Sequence, residues 1–202
     1  MNNKFFDLPE EKRVRIINGG VACFARLGYK KASTQDIAAE AGISKALLFH
    51  YFGSKKELFR YIYEFCHGRV TSCLEAFEYS DGEDVFSMML RANRIKLELF
   101  RDYPDLYRFV YQAYFEKDPD VQEIVKRLSR VQIARTMSDV TAFMDKTRLR
   151  DCLSPEQALQ IILWVSEGFL QRRLEQGGDD PVSLMAGFVE WMDILKICLY
   201  RN

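Results

Sequence analysis

Histidine is nearly absent, with only His50 and His67 in 202 residues, and the five cysteines (Cys23, Cys66, Cys73, Cys152 and Cys198) are scattered without a CxxC pair. Metal-binding spacings are therefore missing, and His50 has no second ligand near it in sequence, so neither a metal nor a resident cofactor is expected. An odd number of cysteines set in apolar helical patterns reads as reduced, buried thiols. No nucleophile, base and orienting residue form a catalytic constellation, and no glycine-rich phosphate loop occurs, which argues against an enzyme. Apolar runs all fall short of the roughly 20 residues of a membrane span. Met1-Asn2-Asn3-Lys4 is not followed by the apolar stretch of a secretory signal. A soluble, cytoplasmic chain with no membrane partner is expected. Internal repeats and low-complexity tracts are lacking too.

What is present is a foldable, helix-rich chain. Hydrophobic residues make up 48% and aromatics 13%, enough to bury a sizeable core. Net charge is zero, with 29 basic and 29 acidic side chains, but the two signs are not mixed evenly. Up to residue 60 there are eleven Lys and Arg against six Asp and Glu, so this segment carries +5 and the remainder −5. One basic end on an acidic body is the footprint of a phosphate-binding surface confined to that end.

That basic end reads as three helices. Val14, Ile17, Val21 and Phe24 recur at helical spacing after Leu8-Pro9, and Gly28 ends the first helix, leaving Lys30 and Lys31 in a loop. Gly19-Gly20 inside it marks close packing against a neighbour. Ser33-x-x-Asp36 has the form of a capping box and opens a second helix with a small apolar face, Ile37, Ala38 and Ala41. Gly42 supplies a left-handed stop, Ile43 anchors the turn, and Ser44 caps a third helix. In that helix Leu48 and Phe52 point inward, leaving Lys45, Ala46, Leu47, Phe49, His50 and Tyr51 on other faces. Eight helical residues span about 12 Å, a fit for the DNA major groove. Ser54-x-x-Glu57 repeats the capping form, and Lys55 and Lys56 follow it at a helix N-terminus, where the dipole disfavours them and a phosphate would reward them.

Residues 10–60 resemble the DNA-binding domain of the TetR family of bacterial transcriptional regulators, through Gly42-Ile43-Ser44-Lys45-x-x-Leu48-x-x-Tyr51-Phe52-x-x-Lys55-x-x-Leu58. The resemblance implies an all-α fold of about nine helices. A three-helix head with a helix-turn-helix (1–54) would precede a larger helical effector-binding and dimerisation domain (55–202), linked by a helix over 55–79. It implies phosphate contacts from Thr34 and Lys55, base reading by Lys45, Ala46 and Leu47 next to Ser44, and phosphate or base contacts from Phe49, His50 and Tyr51. Two residues depart from the pattern. The family commonly has threonine where Leu47 stands and tyrosine where Phe49 stands, so a hydroxyl contact to phosphate is lost and apolar contact, as to a thymine methyl, replaces it.

Downstream, Gly68 within the linking helix is either a weak point or a packing site. The last two helices, 154–176 and 181–200, are apolar on more than one face, a surplus that points to a helical homodimer interface. A twofold dimer would read a near-palindromic operator in double-stranded DNA. Met88, Tyr107, Tyr111, Tyr114, Met137, Phe143 and Trp164 are candidates to line a pocket for an unidentified small-molecule effector. The reading reached is a DNA-binding transcriptional repressor released by that effector. The alternative is a helical ligand-binding protein or enzyme that merely carries such a helix pair.

Overall fold

The computed structural model describes residues 3–177 and 180–201, and within them the chain is all-α. The described helices are α1 (Glu10–Lys31), α2 (Thr34–Glu40), α3 (Lys45–Phe52), α4 (Lys55–Glu75), α5 (Val85–Asp102), α6 (Pro104–Tyr114), α7 (Pro119–Phe143), α8 (Pro155–Glu175) and α9 (Pro181–Leu199). Extended pairing among the described residues amounts to two isolated bridges, Glu83 with Met144 and Leu149 with Tyr200.

Most boundaries follow the sequence signals, with two exceptions. Gly28 leaves helical geometry at φ 70°, ψ 170°, but another helical turn follows it, so Lys30 and Lys31 sit on that turn rather than in a loop. The linking helix stops at Glu75 instead of reaching residue 79. Phe77 is buried there and packs edge-on against Tyr79 at 4.7 Å, while Tyr79 stacks on Phe143 at 5.2 Å. Burying those rings outweighs extending an exposed helical turn. The stop after α8 is made by Gly177 at φ 74°; Gly178 lies outside the described residues.

Contacts divide the chain into two compact units. One comprises residues up to Val70 together with Tyr103–Ser129; the other comprises Thr71–Asp102 and residues from Arg130 onward. Of the expected head, 1–54, the described residues lie within the first.

In the first unit, α1 packs on α2 and α6. Its core holds Ile16, Phe24, Ile37, Leu48, Phe52, Phe59, Ile62, Tyr63 and Phe109, all nearly or fully inaccessible. Gly19 is where α1 meets the end of α2: a Cβ placed on it would lie 2.7 Å from the Ala41 backbone nitrogen. Only hydrogen fits there, so the packing role read from Gly19-Gly20 holds at Gly19. At Gly20 the obstacle is the Cδ1 of Ile62, the movable end of a side chain.

The second unit is built on α5, α8 and α9, with Val85, Phe86, Met88, Val140, Leu159, Ile162, Met192 and Leu195 among its buried core. Its polar anchor is Asp84, which caps α5 by accepting from the Ser87 N–H at 3.0 Å and pairs with Lys196 at 2.8 Å and Arg148 at 3.2 Å. Burial alone would raise the Asp84 carboxyl, but the Lys196 hydrogen bond, the Ser87 N–H and the two cations hold it below its ordinary value. Beside it the Tyr200 hydroxyl accepts from the Val85 N–H at 3.1 Å, tying the end of α9 to the start of α5.

Candidate nucleic-acid interface

The α2–α3 pair is fixed by serine caps and one left-handed glycine. Ser33 Oγ accepts from the Asp36 N–H at 3.1 Å and donates to the Asp36 carboxylate at 2.6 Å. The carboxylate thus takes the serine hydroxyl as its partner rather than a backbone N–H, a variation on the expected capping box. At the other end Gly42, at φ 63°, turns the chain so that the Gly42 and Ile43 N–H groups each donate at 3.0 Å, to Ala39 and Ala38. Ser44 Oγ then accepts from the Leu47 N–H at 3.2 Å and starts α3. Gly53, at φ 77°, ends it, and Ser54 Oγ accepts from the Glu57 N–H at 3.1 Å to start α4.

Leu48 and Phe52 are buried as the spacing requires, and Ser44, Lys45, Ala46, Phe49 and His50 are exposed on the far side. Leu47 and, at the start of α2, Thr34 are half-buried, with Gln35 exposed next to Thr34. Phe49 stands 41% exposed, and the Lys45 ammonium lies 5.9 Å from its ring centre. That distance is the outer range of a cation–π contact, enough to bias Lys45 across the ring. The resulting surface sets a cation, Lys45, beside the apolar Ala46 and Phe49; cations of this kind suit phosphates and purine edges, and apolar groups suit methyl and sugar surface.

Two of the expected contact residues sit differently. Tyr51 is not on the exposed face; only 5% of it is accessible, and its ring packs edge-on against Phe5 at 5.8 Å. The cause is a segment whose role the sequence pattern did not reveal. Asn3–Phe5 forms a 3-10 turn that buries Phe5 completely against Tyr51, Phe52 and Tyr61, and the Arg13 guanidinium donates to the Phe6 carbonyl at 3.1 Å. Two adjacent phenylalanines, Phe5 and Phe6, a few residues ahead of α1 were the available signal. Tyr51 therefore anchors α3 in the core instead of standing on its exposed face.

Lys55 is the second residue that sits differently. Its ammonium donates to the carbonyls of Tyr29 at 2.9 Å, Ala32 at 3.1 Å and Lys30 at 3.5 Å, and lies 4.5 Å from the Tyr29 ring centre. The reward for a lysine at this helix N-terminus is the carbonyl-rich end of α1, and all three ammonium donors are spent on it. Lys56 is exposed, 3.7 Å from Asp120.

The seven effector candidates do not form one cluster within either unit. Tyr107, Tyr111 and Tyr114 belong to α6 in the first, with the Tyr107 and Tyr111 rings 4.8 Å apart. Burial pushes the Tyr111 phenol up to about 12. Met88, Met137, Phe143 and Trp164 belong to the second, where Met88 is core and Met137 and Phe143 pack against that core. Trp164 is 64% exposed on α8, so it lines no interior wall of its unit. The cysteines include two fully buried ones, Cys23 and Cys66, whose thiols burial raises, Cys66 to about 12; Cys152 and Cys198 are exposed, contrary to expectation. Among the described residues no three His, Cys, Asp or Glu side chains gather as a metal site, and no helix is long and apolar enough to cross a membrane.

The family model described as bacterial regulatory proteins, tetR family, matches residues 16–62, from α1 into α4. The HTH-type transcriptional repressor AcnR of Corynebacterium efficiens is 26% identical over 193 residues, 91% of this chain and 93% of that protein. The HTH-type transcriptional repressor SCO4008 of Streptomyces coelicolor is 45% identical over 56 residues, covering 28% of this chain and 29% of its own. A crystal structure of a TetR family transcriptional regulator from Chloroflexus aurantiacus superposes with a TM-score of 0.75 at 22% identity, covering 100% of this chain and 99% of that one.

Proposed function

We propose that this chain, which belongs to the TetR family of DNA-binding transcriptional regulators and is not an enzyme, acts as a repressor that binds a near-palindromic operator as a homodimer. The observation that carries the reading is the capped α2–α3 pair with Lys45, Ala46, Phe49 and His50 exposed on one side. Ser44, Thr34 and half-buried Leu47 border that face and complete the contact surface, while Tyr51 and Lys55 hold its parts in place. The repressor assignment draws on relatives named as repressors that share the head and, in one case, most of the chain.

Dimerisation is proposed through α8 and α9. Trp164 on α8 and Trp191, Ile194 and Ile197 on α9 are all exposed, Ile197 at 72%. Large apolar side chains left exposed on two helices favour burial against a second copy. Small-molecule effectors are a family property, and effector binding is proposed for the helical part of the chain that follows the head. An effector releases DNA by binding more tightly to the arrangement of heads that the operator disfavours.

Sedimentation of the chain, followed by selection of bound sequences from random DNA, tests this reading. A dimer and an enriched site with two inverted half-sites about 34–36 Å apart, or a multiple of a helical turn, are expected. A monomer, or an enriched site without inverted symmetry, contradicts it.

A further inference from the structure

The turn joining α1 to α2 is held from outside the head sequence. At Gly28 the chain leaves the helical path, and the next N–H, that of Tyr29, donates to Glu116 Oε2 at 3.2 Å. Glu116 lies just after α6, and its other oxygen, Oε1, accepts from the Lys117 N–H at 2.8 Å and the Asp118 N–H at 3.0 Å. One carboxylate thus collects three backbone donors, two from its own loop and one from α1. Such charge-assisted bonds are about twice as strong as neutral ones, and the pair from its own loop fixes where the carboxylate points. On the opposite side of the same turn Lys55 takes the carbonyls of Tyr29, Lys30 and Ala32. The N–H side faces an anion, the carbonyl side a cation, and the Tyr29 ring between them is buried against Phe24 and Phe59.

The clamped turn ends at Ala32, one residue before the Ser33 cap of α2. We infer that Glu116 is a positioning residue for DNA binding: through Tyr29 it sets where the N-terminus of α2, with Thr34 and exposed Gln35, stands relative to α3. The inference rests on the contact surface proposed above. Its particular claim is that a side chain in the α6–α7 loop, remote in sequence from the helix-turn-helix, is required for specific binding more than for general attraction to phosphate. Non-specific binding needs only positive charge near the backbone, whereas specific binding needs α2 and α3 in register with the groove.

The test uses the full-length chain and two duplexes, one enriched by the wild-type protein from random DNA and a scrambled one of equal composition. Anisotropy titrations compare wild type, Glu116→Ala, Glu116→Gln and Glu123→Gln, the last an exposed α7 side chain serving as control. Glu116→Ala is expected to weaken binding to the enriched duplex by about tenfold and to the scrambled duplex by less than about twofold, the scale of one charge-assisted hydrogen bond. Glu116→Gln, which keeps one accepting oxygen, falls between, and amide exchange at Tyr29 accelerates in both variants. Equal losses on the two duplexes, no loss, or unchanged exchange at Tyr29 would overturn the positioning role. If wild type itself enriches no sequence, the contact surface is at fault rather than Glu116.

Discussion

At the scale of single residues, the head depends on a few positions that allow no alternative. Gly19 abuts the Ala41 backbone, which cannot move aside without shifting the start of the turn. Gly19→Ala is expected to destabilise the chain by about 1–3 kcal/mol, the usual cost of overpacking, measured as a lowered denaturant midpoint. The carbonyl-capping lysine is a second such position. Lys55→Met keeps the length of the side chain but strips three carbonyls of their donor, and a loss of about 1–3 kcal/mol in thermal or chemical unfolding is expected. Both sites bear on how far the sequence could be read. The glycine was legible because two adjacent glycines inside a helix need a packing reason. For the lysine, the helix dipole posed the puzzle of what rewards it, but the carbonyls that do so arrive from residues 29–32 and have no local signature. Burial of Tyr51 was hidden for the same reason: the ring that covers it, Phe5, arrives from 46 positions earlier in the chain.

At the scale of elements, the helices were legible almost throughout, because periodicity and caps are local and the structure kept Ser33, Ser44 and Ser54 in their capping roles. What sequence could not resolve was the purpose of Gly68 in α4. Among the described residues a Cβ there would meet no atom within 4 Å, so the glycine has no packing role among them and only weakens the helix. Gly68→Ala is therefore expected to stabilise α4 by up to about 1 kcal/mol, seen as a raised unfolding midpoint; a lowered one would show a contact not accounted for. The α5–α9 junction carries a pH dependence. Because the folded-state value of Asp84 lies below its unfolded value of about 3.8, its contribution is complete above that value and is lost as the pH falls through the folded one. Asp84→Asn is expected to cost about 1–2 kcal/mol at neutral pH and progressively less below about pH 4. An unfolding series across that range checks the convergence of the two proteins.

For the molecule as a whole, the two compact units are assembled in a way the linear order does not announce. The helix-turn-helix shares its unit with α6 and the start of α7, so the part that contacts DNA is completed by chain from beyond residue 100. Hydrophobic periodicity identifies each helix but carries no record of which distant helix covers it. This is why the head was recognisable from residues 33–58, while the effector candidates, chosen by residue type alone, scattered over both units. In the function proposed above, the basic segment up to residue 60 would supply general attraction to DNA, and the exposed side of α3 would supply the reading.

That last assignment is tested most directly by binding-site selection with wild type and with Lys45→Ala, each followed by titration of the wild-type site over a range of salt. Lys45→Ala is expected to weaken binding, to flatten the salt dependence by about one unit of slope per protomer if Lys45 holds a phosphate, or to relax base preference at about one position in each half-site if it reads a base. A variant that selects the same site with the same affinity and the same salt slope would contradict the claim that this face of α3 contacts DNA.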